Sequence, residues 1–295
     1  MGYQIDGVAL ITGAGRSHLY HLSVQSPIER NETDIYEPGS GIGKACALAY
    51  AAEGARGIVI ADLDYNAALE TARECDSQSQ NPIYTSIALA VDVTNVRSVE
   101  LMVQTAVEKF GRIDYSLNSA GIGIKQHRPV DEIDLDEMSR FWQVNVVGTF
   151  NCVQAVTRIM KGQSIATATV HGRERKLGRG VILNVGSCNS YMAVAGILPY
   201  TTAKHAVLGL ARNAALDCAP YDIRINTICP GWVDTPMLRA AGGLPESTVN
   251  NIPMSRVAQA EEIADVVLFM TSPGASYVTG AGWIVDGGTT LQLHT

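Results

Sequence analysis

Two stretches decide how this chain folds: VALITGAG at residues 8–15 and SGIGKACALA at residues 40–49, with 24 residues between them. The first is an apolar run that ends in a glycine turn, and the second begins an apolar pattern with helical spacing. Joining Gly15 to Ser40 gives TGAGSGIG between a strand and a helix. The backbone N–H groups of such a turn lie at a helix N-terminus, where a dinucleotide pyrophosphate can bind. The sequence therefore predicts a dinucleotide-binding turn that residues 16–39 interrupt.

Composition and charge restrict the class of protein. The chain has 295 residues, of which 46% are hydrophobic and 17% charged, and this composition favours a folded protein with a large core. The net charge of -7 argues against a nucleic-acid partner or an anionic membrane surface. No apolar run approaches the ~18 residues of a membrane span, and no histidine has metal-ligand spacing. Six scattered cysteines without a CxxC pair, and no signal-like opening segment, favour a cytoplasmic protein.

Short apolar runs alternate with helical patterns along the chain. This alternation predicts an α/β fold, with a doubly wound parallel sheet and helices on both faces. No Pro/Ser-rich linker divides the chain, so we expect a single domain over 1–295 that carries 16–39 as an inserted loop. The charged stretch 161–179 is most simply interpreted as a solvated loop. The predicted strands are 8–11, 57–61, 86–91, 115–118, 181–185, 223–228 and 283–285, and the predicted helices are 42–53, 65–74, 94–110, 135–160, 200–219 and 261–271.

Asp62 directly follows the second predicted strand. A carboxylate at this place can bind both hydroxyls of an adenosine ribose, and it would repel a 2′-phosphate. No Arg or Lys flanks Asp62, so the sequence favours NAD(H) over NADP(H), although NADP(H) is not excluded. The alternative interpretation is that Asp62 only caps the helix that follows it.

Three further residues have the spacing of a proton-transfer site. Tyr200 and Lys204 are four residues apart, which puts them on one face of a predicted helix. Ser187 lies thirteen residues before Tyr200, at the end of a predicted strand. To act as an acid or base at neutral pH, a phenol must lower its pKa from ~10 by about 3, which requires roughly 4 kcal/mol. We expect the neighbouring ammonium, together with a bound cationic cofactor, to provide this.

With these motifs the chain resembles the classical short-chain dehydrogenase/reductase family, and most of all its fungal members, over nearly its whole length apart from 16–39. The resemblance implies a Rossmann-like fold and a catalytic set of Ser187, Tyr200, Lys204 and Asn145. Asn145 stands in FWQVNVVG on the predicted helix 135–160 and is expected to serve a water relay to the lysine.

The same resemblance assigns the remaining cofactor contacts. Asp92 and Val93 match the adenine wall, and PGWVDT at 230–235 matches a motif that holds the carboxamide through Val233 and Thr235. The stretch NSAG at 118–121 departs from the family pattern only at Ser119. The full expected set is Gly13, Gly15, Ser40, Gly41, Ile42, Gly43, Asp62, Asp92, Val93, Asn118, Tyr200, Lys204, Val233 and Thr235.

The expected function is hydride transfer between a nicotinamide cofactor and a ketone or secondary alcohol. The segment 236–256 is interpreted as a mobile lid, and no arginine stands out to bind a carboxylate, so the substrate is expected to be small and fairly hydrophobic. In this family the helices at 135–160 and 200–219 pair between subunits, which implies a homodimer or homotetramer. The expected pocket walls are Tyr191, Met192, Trp232, Met237 and Leu238.

The interruption keeps a second hypothesis open. A polar segment of 24 residues inside the glycine turn could fill the space of the cofactor, because long loops without secondary structure are uncommon in compact domains. The alternative function is a non-enzymatic or impaired family member whose cofactor site is disrupted. A retained intron would explain the segment, since its 24 codons keep the reading frame and its removal restores the motif.

Overall fold

A computed structural model describes residues 3, 5–15, 41–124, 126–240 and 242–291, and of Ala240 only the backbone. The predicted inserted loop at 16–39, together with Ser40, lies outside the described residues. The helices and strands used below, in chain order, are β1 (Val8–Thr12), α1 (Ile42–Ala52), β2 (Gly57–Asp62), α2 (Tyr65–Gln78), β3 (Thr85–Ala90), α3 (Val96–Phe110), β4 (Tyr115–Asn118), α4 (Leu135–Phe141), α5 (Gly148–Gly162), β5 (Ala166–Val170), β6 (Arg173–Gly178), β7 (Gly180–Val185), α6 (Leu198–Cys218), β8 (Ile223–Pro230), α7 (Pro236–Ala240), α8 (Glu246–Asn250), α9 (Ala260–Thr271) and β9 (Gly282–Val285).

Seven parallel strands form one sheet in the order β3-β2-β1-β4-β7-β8-β9. All residues of β1 and β8 are buried, as expected for apolar strands covered by helices on both faces. Thr12 pairs with Ala61 on one side and Asn118 on the other, and Asn118 pairs with Asn184. The carboxyl ends of these central strands therefore lie along one edge. The predicted doubly wound α/β fold is confirmed.

Helices cover both faces of the sheet. One hydrophobic cluster joins the sheet to α1, α2 and α9, and a second joins it to α3, α5 and α6. A buried hydrogen bond of 2.8 Å from the Tyr50 hydroxyl to Thr271 Oγ1 connects α1 with α9. Both partners are at most 3% exposed, so this bond fixes the C-terminal part of α1 against α9. Among the described residues, no helix is long and apolar enough to cross a membrane.

The charged stretch 161–179 is not the predicted solvated loop. It ends α5 and then forms an antiparallel hairpin from β5 and β6. His171 and Gly172 turn the chain with φ of 51° and 73°, the positive values that a two-residue hairpin turn requires. Lys176 forms an ion pair of 2.8 Å with Asp222, and the Arg175 guanidinium donates to the carbonyl oxygen of Pro273 at 3.1 Å. The charges therefore lie on a strand, with Arg175 and Lys176 on its opposite faces, rather than in a loop.

The predicted helix 135–160 is interrupted by a π-helical turn. The Asp134 side chain accepts the N–H of Glu137 and so caps α4, and a π turn over Trp142–Val147 then connects α4 to α5. One such turn inserts a residue into the hydrogen-bond ladder without ending the helix, so hydrophobic periodicity does not reveal it. Turns of this kind occur frequently at functional sites, and this one contains Asn145.

Candidate functional site

The glycine turn after β1 packs directly against the start of α1. Gly13 has φ +69°, and its N–H donates to the carbonyl oxygen of Ala61 at 2.8 Å. A Cβ on Gly13 would lie 2.6 Å from the backbone nitrogen of Ala120, and a Cβ on Gly43 would overlap the carbonyl oxygen of Gly13. Only glycine at these positions permits the close approach. The structure thus brings Gly13 and Gly43 together although residues 16–39 separate them in sequence.

The N-terminus of α1 has no side-chain cap among the described residues. Gly41 is its N-cap and offers no side chain to the first N–H groups, and Ile42 begins the helix half-buried. A Cβ on Gly41 would meet no atom of the described residues within 4 Å. Uncapped N–H groups at a helix start carry a partial positive charge. This end of α1 is therefore suited to an anion such as a pyrophosphate. Ser40, the residue before it, lies outside the described part of the chain.

Asp62 stands at the end of β2 and faces the glycine turn. Its Oδ2 accepts the N–H of Gly15 at 2.8 Å, and its Oδ1 accepts the N–H of Asp64 at 3.1 Å. Burial raises the pKa of the Asp62 carboxyl group above its ordinary value, and these hydrogen bonds oppose the rise. The N-cap of α2 is Asp64, which accepts the N–H groups of Asn66 and Ala67. The alternative interpretation of Asp62 as that cap is wrong.

Asp92 and Val93 follow β3 on the same edge of the sheet. Asp92 Oδ1 accepts both the N–H and the hydroxyl of Thr94, at 2.9 and 2.7 Å. The Val93 side chain is buried, and its carbonyl oxygen accepts the Asn151 side-chain amide at 2.9 Å. These bonds hold the turn rigidly, with Asp92 half-buried at the surface of the cleft.

Asn118 ends β4 beside Asn184 of β7. The Asn118 side-chain amide donates to Asn184 Oδ1 at 2.8 Å, and both side chains are buried. Asn118 Oδ1 and Asn184 Nδ2 have no partner among the described residues. The Ser119 N–H donates to the carbonyl oxygen of Thr12 at 3.2 Å, so the departure from the family pattern leaves the turn intact. Asn184 was not among the residues expected from the sequence, although a lone amide within an apolar strand was a signal for it.

Ser187 follows β7 and caps a single 3₁₀ turn, Cys188–Ser190. Its hydroxyl accepts the N–H of Asn189 at 3.2 Å, and it lies close enough to the Tyr200 side chain to lower the pKa of that phenol. Ser187 is 6% exposed, so its hydroxyl is directed by these contacts rather than by solvent.

Tyr200 and Lys204 lie one turn apart on α6. The Lys204 ammonium is 5.5 Å from the centre of the Tyr200 ring and donates to the carbonyl oxygen of Val185 at 2.9 Å. The edge of the Tyr200 ring also faces Phe141 of α4, with the ring centres 6.4 Å apart. The structure therefore brings Ser187, Tyr200 and Lys204 together at the carboxyl edge of the sheet.

Burial shifts the pKa values of Tyr200 and Lys204 in the direction that favours the neutral form of each group. Burial raises the pKa of Tyr200 to about 12; the nearby Ser187 hydroxyl lowers it, and the thiols of Cys188 and Cys229 raise it. Burial lowers the pKa of Lys204 to about 8. The expected fall in the phenol pKa does not occur in the protein alone, because burial outweighs the favourable contacts. Charge must therefore be added to the site before Tyr200 can act as a base near neutral pH.

Asn145 lies next to Lys204, but both ends of its side chain are occupied. Its Oδ1 accepts the N–H of Ile122 at 2.8 Å, and its Nδ2 donates to the carbonyl oxygen of Ile122 at 3.1 Å. A Cβ on Gly121 would lie 2.8 Å from Asn145 Oδ1 and 4.0 Å from the Lys204 nitrogen. The Thr149 hydroxyl donates to the Asn145 backbone carbonyl at 2.8 Å. Asn145 thus joins the π turn to the chain that follows β4.

The segment after β8 covers the cleft. Val233 is buried and forms a parallel bridge with Ala258, and the Thr235 hydroxyl accepts a backbone N–H at the start of α7. Met237 of α7 packs against Gly123, since a Cβ there would lie 2.6 Å from its sulfur atom. The predicted lid region 236–256 contains the short helices α7 and α8.

Tyr191 does not line the cleft, and its prediction as a pocket wall is wrong. Its hydroxyl donates to the carbonyl oxygen of Gly282 at 2.9 Å, and the Arg212 guanidinium lies 5.7 Å from its ring centre. The ring therefore faces β9 and the later turns of α6.

The fold and this set of residues define a nicotinamide-dependent oxidoreductase, and the chain belongs to the short-chain dehydrogenase/reductase family. A family model described as enoyl-(acyl carrier protein) reductase matches residues 38–290. The match begins at the end of the interrupting segment. The predicted family and enzyme class are confirmed: the protein is an NAD(P)-dependent oxidoreductase acting on CH–OH groups.

Similar proteins include curated enzymes and solved structures. The short-chain dehydrogenase anuF of Penicillium roqueforti is 58% identical over 299 residues, covering 100% of both chains. The short-chain dehydrogenase srdC of Neurospora crassa is 47% identical and covers 86% of this chain and 95% of its own. The crystal structure of a short-chain dehydrogenase/reductase from Mycobacterium marinum aligns with a TM-score of 0.78 at 26% identity over 98% of both chains.

Proposed function

We propose that the protein interconverts a ketone and a secondary alcohol on a small, fairly hydrophobic substrate, with NAD(H) as the preferred cofactor. The proposal rests chiefly on one observation: the buried ammonium of Lys204 lies 5.5 Å from the centre of the Tyr200 ring, and the Ser187 hydroxyl lies beside the same tyrosine. A hydroxyl pair of this kind can bind one substrate oxygen and exchange a proton with it.

The residues present fit a nicotinamide dinucleotide. The N-terminus of α1, the glycines 13, 15, 41 and 43, and Ile42 would hold the pyrophosphate. Ser40 remains a proposed contact outside the described residues. When bound, the cofactor supplies or accepts the hydride. The other residues proposed to hold it are Asp62 on the adenosine ribose, Asp92 and Val93 on the adenine, Tyr200 and Lys204 on the nicotinamide ribose, and Asn118, Val233 and Thr235 around the nicotinamide.

The catalytic side chains would divide the proton chemistry. The Ser187 hydroxyl would orient the substrate oxygen, and Tyr200 would give a proton to that oxygen or take one from it. A pKa raised to about 12 keeps Tyr200 protonated at neutral pH, which is the form that a reduction requires. Lys204 in its charged form would favour the phenolate that an oxidation requires. Asn145 would hold the π turn next to Lys204 and support proton exchange with solvent.

The apolar covering of the cleft supports the substrate class. Met237 packs on Gly123, and its thioether offers an adaptable apolar contact. Two relatives add support through their names: levodione reductase of Leifsonia aquatica is 33% identical, and trans-4-hydroxycyclohexanecarboxylate dehydrogenase of Sinomonas cyclohexanicum is 34% identical. Both names describe chemistry at a carbon-bound oxygen.

We also propose a homodimer or homotetramer in a reducing compartment such as the cytoplasm. Phe150 of α5 and Leu216 of α6 are 45% and 76% exposed, and a second subunit would cover them. All six cysteines are free and buried. The partners are thus a small molecule and a second copy of the chain.

Tyr200→Phe tests the catalytic assignment. The substitution removes the proton-carrying hydroxyl and keeps the ring, so turnover of a neutral ketone such as acetophenone should fall at least about 100-fold. The fluorescence titration of NADH should give a dissociation constant within about twofold of the parent. Tyr277→Phe is the matched control, because Tyr277 is fully exposed. Retention of activity by Tyr200→Phe would refute the assignment, and failure of the parent to bind NADH would favour an impaired cofactor site.

A further inference from the structure

Ser190 is buried between the two chain segments that carry the catalytic groups. It ends the 3₁₀ turn that Ser187 caps, and it is 3% exposed. Its hydroxyl accepts the N–H of Ser187 at 3.3 Å and donates to the carbonyl oxygen of Lys204 at 2.8 Å. One hydroxyl therefore uses both its acceptor and its donor capacity on catalytic residues, and no motif in the sequence indicated this role.

We propose that Ser190 is a positioning residue that sets the distance between the Ser187 hydroxyl and the Tyr200–Lys204 face of α6. The proposal rests on the proposed roles of those three residues in proton transfer.

The local chain geometry explains why a hydroxyl is needed there. The carbonyl oxygen of a residue inside a helix accepts one backbone N–H and keeps a second lone pair, which Ser190 uses at Lys204. Among the described residues, the turn after β7 provides no backbone carbonyl group that accepts the Ser187 N–H. Since Ser187 is buried, that N–H would lack a partner without Ser190. The two bonds thus connect a short turn to a helix of 21 residues.

The residues around Ser190 leave space for its hydroxyl. A Cβ on Gly186 would lie 3.0 Å from both Ser190 Oγ and the Cys229 sulfur atom, so glycine at 186 leaves room for the two groups. A side chain without a hydroxyl at 190 would leave two neighbouring polar groups, the Ser187 N–H and the Lys204 carbonyl oxygen, without this partner.

Ser190→Ala is the first variant, and Ser116→Ala is its matched control. Ser116 is 1% exposed on β4, and its hydroxyl has no partner among the described residues, so the control removes an equally buried hydroxyl without removing a described bond. With acetophenone and NADH, kcat should fall about tenfold in Ser190→Ala, while the NADH dissociation constant stays within twofold. In the oxidation of 1-phenylethanol, the pH of half-maximal kcat should rise, because a displaced Ser187 no longer favours the Tyr200 phenolate. Ser190→Thr, which keeps the hydroxyl, should restore most of kcat.

A second measurement needs no substrate. Amide hydrogen exchange of the turn 187–190 should become about tenfold faster in Ser190→Ala and stay unchanged in Ser116→Ala. A kcat, pH profile and exchange rate all within twofold of the parent would overturn the role of Ser190. A large loss of kcat that Ser116→Ala shares would overturn it as well. Absence of turnover in the parent would instead refute the proposed substrate class, and the exchange rates would then decide on Ser190 alone.

Discussion

Replacing Lys204 by Met should stabilise the protein against unfolding at neutral pH while it abolishes turnover. Lys204 is 8% exposed, and its ammonium donates to a single described acceptor, the carbonyl oxygen of Val185 at 2.9 Å. Burial lowers its pKa from the ordinary 10.5 to about 8. The positive charge of Lys204 is therefore less favourable in the folded protein than in the unfolded chain, and it lowers the free energy of unfolding.

The size of the effect follows from these two values. A pKa difference from 10.5 to about 8 corresponds to roughly 3 kcal/mol, at 1.36 kcal/mol per pKa unit. Between these pH values the unfolded chain binds more protons than the folded one, so the contribution of Lys204 to stability rises with pH. Below pH 8 the full penalty is present, and above 10.5 it is gone. Met removes the penalty but leaves the Val185 carbonyl oxygen without its partner, which costs about 1–3 kcal/mol.

Urea unfolding of the parent and of Lys204→Met, followed from pH 6 to pH 10.5, measures this directly. At pH 6 the variant should be up to about 2 kcal/mol more stable than the parent. The variant-minus-parent difference should then decrease by about 3 kcal/mol as the pH rises through 8 to 10.5. Using the difference cancels the titrations that both proteins share, and Tyr200, whose pKa burial raises to about 12, stays protonated over this range. Lys109→Met, at an exposed lysine near the end of α3, should give a flat difference. A flat curve for Lys204→Met would refute the reasoning.

Three further predictions concern the cofactor preference, the oligomeric state and the interrupting segment. The parent should show a higher kcat/KM with NADH than with NADPH, and Asp62→Ala should shift the ratio at least about tenfold toward NADPH; a parent that prefers NADPH would contradict the role of Asp62. Light scattering at micromolar concentration should find a dimer or tetramer, and the double variant Phe150→Asp and Leu216→Asp should be monomeric; a monomeric parent would contradict the proposed assembly. Deletion of 16–39 should tighten NADH binding and raise the melting temperature, with at most about 2.8 kcal/mol of loop-closure free energy recovered; weaker binding or a lower melting temperature would show that the segment is an integrated element.

Sequence patterns were sufficient to predict the structure where a close backbone contact requires glycine or where a continuous apolar run requires a buried strand. The spacing of Gly13 and Gly43 after removal of 16–39 predicted a turn whose backbones meet, and the structure brings them into contact. The seven strands of the parallel sheet were predicted to within about two residues of their bounds, because strands buried on both faces are continuously apolar. The carboxyl edge of such a sheet then brings Asp62, Asn118 and Ser187 to one side without further information.

The remaining features depend on contacts that no local pattern encodes. The hairpin β5–β6 was missed because its consecutive charges are typical of a solvated loop and its anchors, Asp222 and Pro273, are distant in sequence. The π turn differs from an α-helix by one residue, so its apolar period looks unchanged. Tyr191 was placed in the cleft because it follows Ser187, but its hydroxyl reaches β9 instead.

The direction of the pKa shifts explains why Tyr200 and Lys204 have to be considered as one unit. Burial disfavours the charged form of both groups, so neither gains from ionising alone. An ammonium 5.5 Å from the ring makes the phenolate less unfavourable, and a phenolate does the same for the ammonium. The two titrations are therefore coupled, and an apparent pKa measured from a rate profile belongs to the pair. A variant at either position changes the titration of the other, so the loss of turnover in Lys204→Met includes a Tyr200 that is harder to ionise. Stability and activity consequently change in opposite directions at this site, because the buried charge that destabilises the fold is the one that favours the phenolate.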